Sequence, residues 1–259
     1  MNFAGLTPDL VTLFTVWFWH GAIVFLRVGA MSSVMLGFGE NFIPTQVRLV
    51  IGLVFTAIVA PALPQMPIPL SVLQYAGLMA TEVVIGLALG VAIRMFIHGL
   101  QTAGSIAAQS TSLSQVLGGA GVDPMPAIGA VLWISGITLA IMLDMHIRAV
   151  ELMIRSYELF PVGRFPNGAL LSEWGVHRVS ETFSMAFTLA APFVITSVMY
   201  NLTLGIINRA MPQLMVVFIG APLITFSGLA LLAIGAPMIL QVWGHDLMIF
   251  FADPGAGMQ

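Results

Sequence analysis

The chain has 259 residues, 59% of them hydrophobic and only 7% charged, with a mean hydropathy of +1.01. Soluble domains carry roughly 25% charged residues, so this composition excludes a soluble fold and indicates an integral membrane protein. All eight cations are arginine, set against eleven carboxylates, which leaves no polybasic patch for nucleic acid or anionic lipid, and the absence of cysteine excludes disulfides, thiolate metal sites and thiol nucleophiles.

The opening residues MNFAGLTPDL lack a basic n-region, and the apolar run behind them is too long for a signal-peptide core, so it reads as a retained first helix. Leu10 to Phe38 is apolar apart from His20 and Arg27. As a helix it would rise roughly 40 Å, more than a bilayer core of about 30 Å, so it must tilt, break or project. Glu40 to Thr45 makes a turn with Pro44 at the start of a second, shorter helix from Gln46 to Ala60, and the two form a hairpin. The linker Pro61 to Pro69 holds four prolines in nine residues and is expected to be non-helical.

A third apolar segment spans Ser71 to Phe96 and carries Glu82 and Arg94. Gly86 and Gly90 form a small-xxx-small pair that lets another helix approach closely. A carboxylate as deep as Glu82 has two readings: an ion or proton site, or a partner for an arginine elsewhere in a helical assembly.

Gly99 to Pro124 is the polar exception, with three glutamines, five glycines and no charge before Asp123. Gln101, Ser105, Gln109 and Ser112 fall at helical spacing on one face, with Ala103, Ala107, Ser110 and Leu117 nearer the other. The helix should then fail, because Gly118, Gly119 and Gly121 add backbone freedom and Pro124 biases Asp123 away from helical geometry. Two readings fit. One is a neutral pore lining that ends in a stopper tipped by Leu113, Ser114, Val116 and Leu117; the other is an interhelical loop on the membrane surface.

Met125 to Leu143 is apolar again, and the helix is expected to continue past it in amphipathic form until Phe160 and Pro161. Asp144, Arg148, Glu151, Arg155 and Glu158 alternate in sign along one face, each exposed pair worth roughly 0.2–0.5 kcal/mol. Ile147, Val150 and Ile154 take another face. Val162 to Gly168 turns the chain, and Glu173, Arg178 and Glu181 lead into the next apolar helix. Residues 144–181 therefore make a projecting charged hairpin, either a docking surface or merely a solvated face, within a single membrane domain of residues 1–259.

The last third is apolar with prolines at 192, 212, 222 and 237, which are expected to break or kink its helices. Six or seven apolar segments result. The arginines do not sort to one side: six-span threading puts Arg48, Arg94 and Arg209 opposite the four arginines of the charged hairpin. The five histidines are scattered without metal-ligand spacing, and no nucleophile elbow, phosphate loop or dinucleotide fingerprint is present. No enzyme, cofactor or metal site is expected.

Several stretches together resemble the FliR-like export-gate family of flagellar and type III secretion systems. Phe25-Leu26-Arg27-Val28-Gly29, Pro44, Val47-Arg48 and Ala60-Pro61 look like its first hairpin. Gly99-Leu100-Gln101-Thr102-Ala103-Gly104, Asp123-Pro124, His146 and Ser156 before Pro161 match its middle, and Leu204-Gly205 with Asn208-Arg209-Ala210-Met211-Pro212-Gln213 is its most specific stretch. The chain departs from the pattern near Leu36, where a proline is usual, at Asp144-Met145, where asparagine and glycine are usual, and at Thr225, where lysine is common.

The resemblance implies an all-α membrane protein of kinked helical hairpins, one copy of which assembles with five FliP-like and several FliQ-like subunits, next to an FlhB-like one. It implies the bacterial inner membrane at the flagellar basal body, and a channel for unfolded flagellar proteins. The loop Leu113 to Val122 would help plug that channel. Arg148, Glu151 and Arg155 of the charged seam, with Arg209, Pro212 and Gln213 of the late motif, are the candidate assembly or docking residues. Hairpins placed above the ordinary membrane plane would account for the failed sorting of arginines. A rival from another class is a small-molecule secondary transporter using Glu82 and broken helices; no internal repeat supports it.

Overall fold

A computed structural model describes residues 6–40, 42–66, 71–111, 127–211 and 216–256. Ser112, the loop from Leu113 to Val122, Pro124, Pro67 to Pro69, Pro212 and Gln213 lie outside them. Among the described residues the chain is all-α: α1 (Leu6–Val34), α2 (Thr45–Val59), α3 (Val72–Thr111), α4 (Ala127–Met142), α5 (Met145–Leu159), α6 (Gly168–Ala210) and α7 (Val216–Ala252). Among the described residues five helices are long and apolar enough to cross a membrane, or six if α4 and α5 make one broken span. The sequence count of about six or seven apolar segments meets the upper of these figures at its lower end.

The first hairpin forms as expected. α1 ends four residues before Phe38, and the turn runs through Gly37 at φ +82°, where a side chain would be strained. Arg48 and Arg94 satisfy carbonyls around this turn: Arg48 donates to Ile43 and Glu40, and Arg94 donates to Val34 and Gly39. Such cationic donors suit a helix C-terminus, whose last carbonyls have no intrahelical partner.

Three expectations are corrected or narrowed. Pro61 lies inside a single 3-10 turn, Ala60–Ala62, rather than outside all helix; at the start of a turn its missing N–H removes no bond. Of the two outcomes expected at the prolines, a break is excluded at three: α6 and α7 continue through Pro192, Pro222 and Pro237. Pro192 removes one i→i−4 bond, the one to the Thr188 carbonyl, and the helix continues on either side of it.

The third of these concerns the helix expected to run unbroken from Met125 to Leu159. It breaks between α4 and α5 at Asp144, which has φ +56° and ψ +34°. Asp and Asn are the residues that best tolerate this left-handed geometry after glycine, because a short polar side chain bonds locally. On α5 the buried side chains are Met145, Ala149, Leu152, Met153 and Ser156, whereas Ile147 is half exposed. The apolar face thus lies beside the one first read from Ile147, Val150 and Ile154.

The chain packs as two compact units. The first holds α1, α2, α3 as far as Arg94, α5, α6 as far as His177 and the residues from Phe250 onward. Gly86 and Gly90 fulfil their expected role there, and the helix that approaches is α1 of the same chain: a Cβ at Gly86 would collide with the Arg27 carbonyl, and one at Gly90 would sit 2.7 Å from the Met31 carbonyl oxygen. The second unit holds the rest of α3, α4, α6 from Arg178 and α7 as far as Ile249. Its largest buried side chain, Trp243, donates its indole N–H to the Phe96 carbonyl at 2.8 Å.

Candidate functional site

α3 is 40 residues long and changes character along its length. At about 1.5 Å per residue it rises about 60 Å, twice a bilayer core. From Met95 to Thr111 it has no charged side chain beyond a neutral-capable histidine. One face packs: Ala103, Gly104 and Ala107 are buried, and α4 comes so close that a Cβ on Gly104 would collide with Gly129. The other face is polar. Gln101 and Ser105 are half-buried and Gln109 is exposed. Ser105 turns its hydroxyl back to the Gln101 carbonyl at 2.9 Å, and His98 Nδ1 meets Gln101 Oε1 at 2.9 Å. The result is a stripe of neutral amides and hydroxyls on a helix whose back is made of small residues. Ser112 and the loop residues Leu113, Ser114, Val116, Leu117, Gly118, Gly119 and Gly121 follow this stripe outside the described residues.

Glu82 lies in the other unit and is not part of that stripe. Its side chain is 0% exposed and faces Arg27 of α1, which is 1% exposed. Arg27 Nε donates to Oε2 at 2.7 Å and Nη2 donates to Oε1 at 3.1 Å, a two-point pair of the strong kind. The remaining guanidinium N–H groups are also used: Nη1 donates to the Ser156 carbonyl and hydroxyl, and Nη2 donates to the Phe160 carbonyl. The guanidinium carbon stands 3.8 Å from the centre of the Tyr157 ring. Glu82 Oε1 also accepts from Gly163 N–H at 3.4 Å. A positive group at the C-terminal end of α5 is favourably placed in that helix's dipole as well. Both charges are thus engaged within one chain.

The charged seam is outward on α5. Arg148 and Glu151 form an exposed pair at 3.3 Å, the side chains 54% and 48% exposed, and Arg155 donates to the Ala252 carbonyl at 3.5 Å. Arg209 sits exposed in the last turn of α6, while Pro212 and Gln213 lie beyond the described residues. Among the described residues no group of three or more metal-ligating side chains comes together.

The sequence missed the role of Arg27, though the signal was present. Two charges of opposite sign, Arg27 and Glu82, stand deep in largely apolar helices, and each is costly in such a setting unless it meets a partner. Ser156, Tyr157 and Phe160 were not legible as members of this cluster, because only folding brings them within reach of α1.

Among the described residues, spanning-length apolar helices, a buried ion pair and an uncharged polar stripe on α3 define an all-α integral membrane protein. The family model for bacterial export proteins, family 1, matches residues 18–248, and the chain belongs to that family. Curated relatives agree along nearly the whole length. The flagellar biosynthetic protein FliR of Caulobacter vibrioides is 34% identical over 226 residues, covering 86% of this chain and 90% of the relative. Those of Escherichia coli and Bacillus subtilis are 28% and 26% identical, covering 85% and 78% of this chain and 85% and 80% of the relatives.

Proposed function

We propose that this chain is a core, non-enzymatic component of the flagellar type III protein export gate in the bacterial inner membrane at the basal body. With FliP-like and FliQ-like subunits, beside an FlhB-like one, it forms the channel through which unfolded flagellar proteins pass. The loop Leu113 to Val122 plugs that channel at rest. The observation that carries this reading is the neutral polar face of α3, Gln101, Ser105 and Gln109, leading directly into the glycine-rich loop. Neutral amides suit a path for varied sequences, because they neither trap charged segments nor hold apolar ones tightly. Membership of a larger assembly accords with the exposure of the apolar helices: Phe187, Ile195, Val198, Leu202 and Ile206 of α6 are each more than half exposed and need lipid or other subunits to cover them.

Against the transporter alternative stands the pairing of Glu82 with Arg27 in a buried two-point ion pair. The deciding experiment is the native mass of the chromosomally tagged protein in mild detergent. One copy in a complex with other small hydrophobic proteins is expected. A stable monomer or small homo-oligomer would overturn the gate reading.

A further inference from the structure

A pocket of about 390 Å³ opens at the tip of the charged hairpin, where the end of α5, the turn from Phe160 to Asn167, the start of α6 and the residues after α7 meet. All of these belong to the first packing unit. Its wall is mostly apolar, with Leu159, Phe165 and Leu170 44%, 62% and 47% exposed. Arg164 and Asp253 complete the lining, and neither has an ion pair or side-chain hydrogen bond among the described residues. The hairpin's other arginines, by contrast, are engaged: Arg148 with Glu151, Arg155 with the Ala252 carbonyl and Arg178 with Glu181.

The pocket is preformed rather than a gap in a loose loop. Arg27 holds the Phe160 carbonyl at 2.9 Å, and Glu82 accepts from Gly163 N–H. On the facing side the buried Trp174 indole N–H donates to the Pro254 carbonyl at 3.2 Å, and Arg155 holds Ala252. The buried ion pair described above therefore also fixes one wall of this pocket.

We infer that this pocket is a docking site for an extended segment of another protein, which inserts one large apolar side chain and presents a carboxylate to Arg164. The volume lies at the lower end of the range of about 300–1,000 Å³ for ligand sites, enough for one anchor and its flanking backbone. An apolar pocket flanked by polar and charged groups, here Arg164, Asn167 and Asp253, has the anatomy of an interface anchor site. The segment's carboxylate is matched by the free guanidinium, and Asp253 accepts from its backbone N–H groups or a basic neighbour. The site is separate from the α3 stripe and from the outward seam of Arg148 and Glu151.

The test places a photo-crosslinking benzoylphenylalanine at Leu170 in the chromosomally expressed, full-length protein, with Val176, 70% exposed on α6 and outside the pocket, as control. The expected result is one protein adduct at Leu170 but not at Val176, mapping to a peptide with an apolar residue next to a carboxylate. Arg164→Glu should cut that adduct at least tenfold with the protein's level and native mass unchanged, and exchanging the partner's carboxylate for lysine should restore it. An adduct only with lipid or with a second copy of this chain would overturn the inference. So would an adduct that Arg164→Glu leaves intact, or one that the partner's lysine does not restore.

Discussion

Arg27 and Glu82, 55 residues apart on two apolar helices, meet in a two-point ion pair of 2.7 and 3.1 Å with almost no solvent exposure. Taking either charge out of water alone costs several kcal/mol, so the pair is tolerable only complete. Its spare donors and acceptors reach α5 and the turn after it, so one interaction ties three helices and the base of the charged hairpin together. Arg27→Ala or Glu82→Leu should destabilise the protein by about 3–5 kcal/mol, read as a lower thermal midpoint in detergent. Arg27→Met combined with Glu82→Leu should recover a good part of that loss. Single variants as stable as the parent would show that the pair does not hold these helices.

Gly86 and Gly90 should behave as steric positions and Gly77 should not. A Cβ at either of the first two meets α1 backbone, while one at Gly77 meets nothing within 4 Å. Gly86→Val is expected to cost at least the 1–3 kcal/mol or so typical of overpacking, because backbone cannot yield as a side chain can. Gly77→Ala should be neutral or slightly stabilising by the same thermal measurement.

Asp144 should tolerate asparagine or glycine and resist β-branched residues. Its φ of +56° costs an ordinary L-residue about 1–2 kcal/mol. Asp144→Val should lower stability by about that amount, and Asp144→Gly should leave it within several tenths of a kcal/mol. Equal stabilities of the valine and glycine variants would contradict a left-handed break at this position.

The plug assignment predicts a leak. Shortening the loop between Leu113 and Val122 should let small ions cross the resting membrane, and replacing Gly118 and Gly119 with bulky residues should change gating. Unchanged conductance in the shortened loop would remove the plug. For the lining, Gln101→Leu with Gln109→Leu should slow export several-fold while leaving the native mass intact.

Charge reversal at both Arg148 and Arg155 should impair assembly, seen as loss of co-purifying subunits. The Arg148–Glu151 pair by itself is exposed and worth only about 0.3–0.5 kcal/mol, so folding should be little affected. Intact assembly and export in the double reversal would leave the seam as a solvated face.

Much of this was written in the pattern of residues. The all-α class, the first hairpin, the close-approach glycines of α3 and the small-residue and polar faces at 101–109 follow from periodicity and composition. These are local properties, fixed within a few turns of one helix. The break at Asp144 was half legible. Its chemistry suits a left-handed residue, but the alternating charges around it continue at helical spacing and suggested no interruption. The prolines at 192, 222 and 237 break no helix, since each costs one i→i−4 bond within a helix otherwise held by its own ladder.

The sequence by itself determined that two opposite charges are stranded in apolar helices, that α3 turns from apolar to neutral polar along its length, and that a charged hairpin lies between residues 144 and 181. Only the tertiary structure decided that the stranded charges are each other's partners, which apolar face of α5 is buried, and that Arg164 and Asp253 line one pocket with Leu170. The reason is physical. Helical spacing fixes which side chains share a face, whereas the partner of a buried charge is set by which helices come within hydrogen-bond reach, and that depends on packing between residues far apart in the chain.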